Sequence, residues 1–263
     1  MKTLISFSGG KDSTALMLYA KEQGILDDAD VVYCDTGWEN PVTYEYIQYV
    51  GEKLGKQIIT LKPDYNFMGL AVKKKRFPSS QARFCTEELK LKPMKRHIAQ
   101  YLPNCEIWVG VRAEESFSRS KLPERAFADY YGCDMYRPLI RWTCQDVFDI
   151  MKRHGVEPNP LYKNGMKRVG CFPCIMSGSE ELRNMFERYP ESLQRLQDAE
   201  DEVGRSFFSP SKIPARYHTG KDPKSGMSFP RVIDAYEYLV NPHTEKLFDD
   251  PGETCLSYYR ICE

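Results

Sequence analysis

The most constraining feature of the sequence is the stretch Ser8-Gly9-Gly10-Lys11-Asp12-Ser13-Thr14, which lies between two apolar patterns of different period. Before it, Leu4-Ile5-Ser6-Phe7 reads as a short buried strand. After it, residues 14–22 read as a helix with Ala15, Leu16, Leu18 and Tyr19 on the apolar side. Strand, glycine turn and helix in that order favour a bound anion. Two glycines let the backbone turn sharply and approach a ligand. The amides that open a helix, with the helix dipole behind them, attract negative charge. Ser8, Ser13 and Thr14 add hydroxyl donors, and Lys11 adds a point charge. The loop is not a Walker A motif, because Asp12 follows the lysine and Ile5 stands where that motif needs glycine. The Gly-x-Gly-x-x-Gly dinucleotide fingerprint is also missing.

The alternation continues downstream. Val31-Val32-Tyr33-Cys34 is a second strand, and residues 42–54 form a helix with Pro41 at its first turn. Strands follow at residues 57–61 and 106–111. Thr143 caps a helix to about His154, with Asp146 placed for a capping box. Strands alternating with helices predict a mostly parallel, Rossmann-like α/β sheet with helices on both faces. From Gly170 the character changes to a Cys-x-x-Cys pair, charged helices at 180–189 and 191–203, a Gly/Pro/Lys-rich stretch at 209–230 and a cysteine-bearing tail. The expected division is a nucleotide-binding domain over residues 1–165 and a helix- and loop-rich, cysteine-bearing, metal-binding part over 166–263.

With 263 residues the chain buries a core large enough to need no disulfide or metal for stability. Lys+Arg and Asp+Glu both number 37, so a globally basic nucleic-acid binder is not indicated and any such role needs a local patch. There is no apolar run of about 18 residues and no signal-peptide pattern at the start. The expectation is a cytoplasmic protein without a membrane span, whose cysteines are thiols or metal ligands.

The loop resembles the PP-loop of the ATP-pyrophosphatase superfamily, Ser-Gly-Gly-x-Asp-Ser, in the same strand-to-helix setting, the adenine nucleotide alpha-hydrolase-like fold. In that superfamily the loop holds pyrophosphate or the equivalent phosphates. The likeness extends to Asp35-Thr36-Gly37 after the second strand, where Asp35 or Thr36 would meet nucleotide or Mg2+. It extends further to Gly110-Val111-Arg112-Ala113-Glu114-Glu115-Ser116-Phe117-Ser118-Arg119, similar to a segment of the phosphoadenosine phosphosulfate (PAPS) reductase family. There Arg112 and Arg119 would offer guanidinium forks to phosphate or sulfate oxygens, with Glu115 orienting one of them. Arg137-Pro138-Leu139-Ile140-Arg141-Trp142-Thr143, Asn159-Pro160-Leu161-Tyr162 and Arg168-Val169-Gly170-Cys171-Phe172-Pro173-Cys174 follow in that family's order, so the resemblance spans residues 3–176.

Cys171 and Cys174 suit two thiolates on one metal, but the spacing alone leaves zinc, iron–sulfur and dithiol redox open. Cys85, in Arg83-Phe84-Cys85-Thr86-Glu87-Glu88-Leu89, lies in a segment similar to the cluster-holding stretch of the iron–sulfur reductases and to the DNA phosphorothioation sulfurtransferases. Cys85, Cys171, Cys174 and Cys255 would hold a 4Fe-4S cluster. The set Cys171, Cys174, Cys255 and Cys262 would suit Zn2+ equally well. Reductases also carry a nucleophilic cysteine in a C-terminal Glu-Cys-Gly-Leu-His, which Glu253-Thr254-Cys255-Leu256-Ser257 only echoes, so Cys255 stands as nucleophile or as ligand. Cys34, Cys105, Cys133 and Cys144 read as packing residues.

Three basic stretches, residues 73–76, residues 90–96 and residues 212–231, are either solvated faces or a groove for nucleic acid. The resemblance implies an enzyme that binds ATP and cuts it between the α and β phosphates to adenylate an acceptor for sulfur transfer. Lys11 and the loop amides would stabilise the pyrophosphate leaving group, Asp12 would bind Mg2+ directly or through water, and a cysteine desulfurase would be the sulfur donor. One alternative is a thiol-dependent APS or PAPS reductase making sulfite with a thioredoxin-like donor. The other is a non-catalytic nucleotide- and nucleic-acid-binding accessory protein of a mobile-element or defence system.

Overall fold

The structure is a computed structural model, and it describes residues 1–240. These residues form two compact units. One comprises Met1–Asp64 and Glu87–Phe172, the other Tyr65–Thr86 and residues 173–240.

The first unit begins with β1 (Lys2–Phe7), α1 (Lys11–Glu22), β2 (Asp30–Cys34), α2 (Pro41–Leu54) and β3 (Ile58–Leu61). Helix α2 starts as its sequence requires: the Asn40 side chain accepts from the Val42 amide, and Pro41 occupies the first turn. Helices α3 (Phe67–Lys74) and α4 (Phe84–Thr86) belong to the second unit. The first unit resumes with a π-helical turn at Glu87–Leu91, then α5 (Lys92–Ile98), β4 (Cys105–Trp108), α6 (Phe117–Ser120), β5 (Arg125–Ala128), β6 (Cys133–Tyr136), α7 (Cys144–Arg153) and α8 (Pro160–Lys163).

Its six strands lie in the order β3-β2-β1-β4-β6-β5. All neighbours are parallel except the edge pair β5 and β6. Side chains alternate across the sheet, as the strand pleat demands. Ile5, Val31, Tyr33 and Trp108 pack with α1, α2 and α7 on one face. Leu4, Val32 and Ile107 pack with Met94 and Ile98 of α5 on the other. Chain order moves outward from β1 through β2 to β3, then crosses back to β4 on the other side of β1. The carboxyl ends of β1 and β4 therefore flank the point where the winding reverses, which is where open α/β sheets hold ligands.

Differences from the sequence reading are local. Helix α1 begins at Lys11, three residues before the apolar pattern starts. The fourth strand stops at Trp108, so Val109 to Val111 form the loop beyond its carboxyl end. Strands β5 and β6, only four residues each and partly exposed, carry no alternating apolar pattern. Helix α7 has the expected capping box: the Thr143 hydroxyl accepts from the Asp146 amide, and Asp146 accepts from the Thr143 amide.

At the amino ends of the strands, Asp30 takes Lys2 Nζ at 2.7 Å, Tyr101 Oη at 2.7 Å and His97 Nε2 at 3.1 Å. Burial works against the Asp30 charge, but the hydrogen bonds from Lys2 and Tyr101 outweigh it and hold its pKa below the ordinary value. The folded chain thus binds this proton less readily than the unfolded chain. The stabilisation is present above the ordinary aspartate pKa of about 4 and is lost as pH falls through the folded value. Asp30→Asn is expected to cost about 1–3 kcal/mol at neutral pH and to flatten the acid side of the stability profile. Thermal melts of both proteins between pH 3 and 8 check this, and equal losses at acid pH would contradict it.

The second unit continues with α9 (Ser179–Arg188), α10 (Glu191–Val203), the short hairpin strands β7 (Gly220–Lys221) and β8 (Ser228–Phe229), and α11 (Val232–Val240). The charged helices expected near 180–189 and 191–203 are α9 and α10. Buried Glu200 organises this unit by accepting from the Phe207 and Val232 amides and from Arg231 Nε. Among the described residues no helix is long and apolar enough to cross a membrane.

Candidate functional site

The loop between β1 and α1 is built by its own polar groups. Gly9 has φ +73°, and a Cβ there would lie 3.0 Å from Thr43 Cγ2, so both conformation and space ask for glycine. The Gly10 carbonyl accepts from Ser13 Oγ and Thr14 Oγ1, each at 3.0 Å. Ser13 Oγ also accepts from the Ser8 amide at 3.2 Å. The helix opens without a side-chain cap. First-turn amides have no acceptor within their own helix. That of Lys11 donates to the Tyr162 hydroxyl at 2.9 Å.

Two residues from α8 and its cap hold the loop from outside. Fully buried Asn159 donates from Nδ2 to the Gly9 carbonyl at 3.2 Å, and Tyr162 receives the Lys11 amide. Both lie in the motif Asn159-Pro160-Leu161-Tyr162, but only the structure shows what they touch. Burial pushes the Tyr162 phenol well above its ordinary pKa, so it stays neutral.

Behind the loop lies a charge cluster in which Lys11 and Arg112 are buried, Asp12 is half-buried and Glu114 is exposed. The Lys11 side chain is 3% exposed, with Nζ 3.3 Å from Asp12 Oδ2 and 5.5 Å from the Tyr162 ring centroid. Arg112, 1% exposed, donates from Nε to Asp12 Oδ1 and from Nη1 to Glu114 Oε2, each at 2.5 Å. Glu114 Oε2 also accepts the Cys144 amide at 2.8 Å. Burial opposes the charge on Arg112, but the Asp12 carboxylate more than offsets it and raises the arginine pKa. Burial pushes the Cys144 thiol up despite Lys11 and Arg112 nearby, which keeps it protonated and inert. Glu115 accepts from the Arg112 amide at 3.0 Å and pairs with the side chain of Arg119, which is half-exposed. Gly110 packs on the loop itself. A Cβ there would lie 2.8 Å from the Asp12 carbonyl oxygen and 3.0 Å from its carbon.

The segment after β2 turns inward. Thr36 is fully buried and donates to Glu39 Oε1 at 2.7 Å. Asp35 Oδ1 accepts from the Gly37 amide and the Tyr44 hydroxyl, each at 2.9 Å. Cys171 is tied to this segment: its Sγ lies 3.6 Å from Thr36 Oγ1, and its backbone bridges that of Glu39. The structure thus gathers Ser8, Gly9, Gly10, Lys11, Asp12, Ser13, Gly110, Arg112, Glu115 and Arg119 around the β1 and β4 ends. It places Asp35, Thr36 and Gly37 at the neighbouring strand end with Cys171.

Of the remaining cysteines, Cys105 and Cys133 are buried, and burial pushes the Cys133 thiol up to about 11. Cys34 is also raised to about 11 by burial. Cys85 is half-buried on α4, and Cys174 accepts from the Met176 amide at 3.5 Å. Among the described residues no group of three or more His, Cys, Asp or Glu side chains is placed to hold a metal ion. Cys255 and Cys262 lie outside the described residues, so the described part alone does not complete either donor set.

Residues 2–177 match the phosphoadenosine phosphosulfate reductase domain. The chain belongs to the phosphoadenosine phosphosulfate reductase domain family. It is 34% identical to an uncharacterized 37.8 kDa protein of Escherichia phage 186, over 90% of this chain and 85% of that protein. It is 30% identical to adenosine 5'-phosphosulfate reductase of Anoxybacillus flavithermus, over 61% of this chain and 68% of the reductase. The crystal structure of phosphoadenylyl-sulfate reductase from Candida auris shares the fold, with a TM-score of 0.52 and 20% identity over 65% of this chain and 82% of that one.

Proposed function

We propose that this chain is an adenylating enzyme. ATP binds with its phosphates on the loop of residues 8–13 and is cut between its α and β phosphorus atoms. An acceptor oxygen takes the adenylyl group as pyrophosphate leaves. The observation that carries this reading is the loop at the sheet's winding reversal, with left-handed Gly9 and the start of α1 that no side chain caps.

In this reading Ser8, Gly9, Gly10 and Ser13 cradle the departing phosphates, and Lys11 stabilises the charge that builds on pyrophosphate. Both Asp12 oxygens already face cations, Lys11 and Arg112. Asp12 is therefore given the work of holding those two side chains, and Mg2+ is left to the nucleotide's own oxygens. Arg112, with Glu114, fixes the back of the loop, and Glu115 holds Arg119 at the rim. A sulfur nucleophile, such as the persulfide of a cysteine desulfurase, then attacks the adenylated carbon. The carbon–sulfur bond forms as the carbon–oxygen bond breaks, and AMP leaves with the electron pair.

A second reading is favoured by the 30% identity to an adenosine 5'-phosphosulfate reductase. A Cys255 thiolate would attack the sulfur of adenylyl sulfate and expel AMP, and a thioredoxin-like dithiol would reduce the resulting thiosulfonate to sulfite. The two readings part on one assay. Protein is incubated with ATP or with adenylyl sulfate and a dithiol, and pyrophosphate and sulfite are measured. Pyrophosphate from ATP supports the first reading. Sulfite that disappears in Cys255→Ser supports the second and overturns the first. The thiol sets are tested separately on anaerobically purified protein: iron with acid-labile sulfide assigns the cluster set, and zinc assigns the paired set.

A further inference from the structure

The three basic stretches of the sequence fare differently in the structure. In the second, Lys92 pairs with Glu88 and Arg96 with Asp64. In the third, Lys212 donates to the Ser177 carbonyl, and Arg231 pairs with Glu200 and Asp201. The first is different. Tyr65–Thr86 carries Lys73, Lys74, Lys75, Arg76 and Arg83 and contains no Asp or Glu. All five cations are exposed, and among the described residues none of them forms a salt bridge.

Aromatic rings are interleaved with these charges. Lys73 Nζ sits 4.2 Å from the centroid of Tyr65, which is 44% exposed. Lys74 Nζ and Arg76 Cζ lie 6.0 and 5.6 Å from the centroid of Phe84. The opposite side of the segment is anchored within its unit. Phe67, Leu70 and Ala71 of α3 are buried, and the Phe77 ring packs 6.3 Å from Phe67 and 5.1 Å from Phe207. The charges and rings therefore stand on a fixed platform.

Lys75 adds a separate signal. It ends α3 with φ 53°, the only non-glycine residue with positive φ among the described residues. Glycine is the residue this C-cap position favours, because a Cβ is strained there. The chain instead carries a lysine there, the third of four consecutive exposed cations, Lys73 to Arg76.

We infer that the Tyr65–Thr86 face binds single-stranded nucleic acid, with phosphates on the lysines and arginines and bases on the rings of Tyr65 and Phe84. The rings beside Lys73, Lys74 and Arg76 suit successive nucleotides, since each nucleotide presents one phosphate and one flat base. A duplex hides its base faces and would use only the charges. The inference does not rest on the adenylation reading, and either can fail without the other.

The test is fluorescence anisotropy with the full chain and a labelled single strand of about 20 nucleotides, titrated at several salt concentrations. The triple variant Lys73→Gln, Lys74→Gln, Arg76→Gln is expected to lower the slope of log affinity against log salt by about 2. Tyr65→Ala is expected to weaken binding about tenfold while leaving that slope alone. Lys75→Gly guards against misfolding, because glycine relieves the strained turn; it should melt no lower than the parent and lower the slope by about 0.7. An unchanged slope in Lys75→Gly would overturn the proposal. So would equal affinity for a duplex of the same sequence, or complete competition by anionic lipid vesicles at matched phosphate.

Discussion

Replacing Arg112 by leucine is expected to destabilise the protein by about 1–3 kcal/mol, the range for leaving a buried polar group without its hydrogen-bond partner. The guanidinium is 1% exposed and sits between Asp12 and Glu114. Without it, Asp12 keeps only Lys11, exposed Glu114 loses its cation, and Glu114 no longer ties the start of α7 to the loop through the Cys144 amide. ATP affinity should fall at least about a hundredfold, because the loop amides lose the scaffold that orients them. Arg112→Lys should recover only part of the loss, since an ammonium cannot bridge two carboxylates as a planar fork does. Urea unfolding and nucleotide titration read both effects. A stability change below about 1 kcal/mol would show that the cluster is dispensable.

Gly110→Ala is the second large expected effect, and it acts through backbone alone. Its Cβ would sit 2.8 Å from the Asp12 carbonyl oxygen and 3.2 Å from the Ser13 amide nitrogen. Those atoms belong to the first turn of α1 and cannot rotate away as a side-chain tip would. The end of β4 and the start of α1 must separate. Expected are a stability loss of about 1–3 kcal/mol, typical of forcing extra volume into a packed site, and a fall in ATP affinity of tenfold or more. Normal nucleotide binding by this variant would mean that the β4 end and the loop do not work as one site.

What was legible in the sequence, and what was not, follows the range of the forces involved. The phosphate loop could be read because its demands are local: glycine conformations, a helix start, and hydroxyls within a few residues. The α7 capping box is equally local, since Thr143 and Asp146 are three residues apart. The sheet's parallel part follows from the strand–helix alternation. The edge strands β5 and β6 were missed because four-residue strands gain their order from pairing with distant neighbours, and their own pattern is nearly featureless. The site shows the same limit. Arg112 was read by its chemistry, as a fork for an anion, yet its neighbour Asp12 lies a hundred positions away. Thr36 stood in the right motif, but its hydroxyl turns inward to Glu39. Glu114, Asn159 and Tyr162 lie inside the motifs, but their roles come from contacts that exist only after the chain has folded. Cys255 and Cys262 stay where the sequence put them, as expectations outside the described residues.

The most direct test of the account is the bond at which ATP is broken. Phosphorus NMR of ATP incubated with the protein, magnesium and a pool of nucleic-acid and small-molecule acceptors reads this without labels. Resonances of pyrophosphate and of AMP or its ester are expected, and their loss in Lys11→Met. ADP with inorganic phosphate, or ATP left intact with every acceptor, would contradict it.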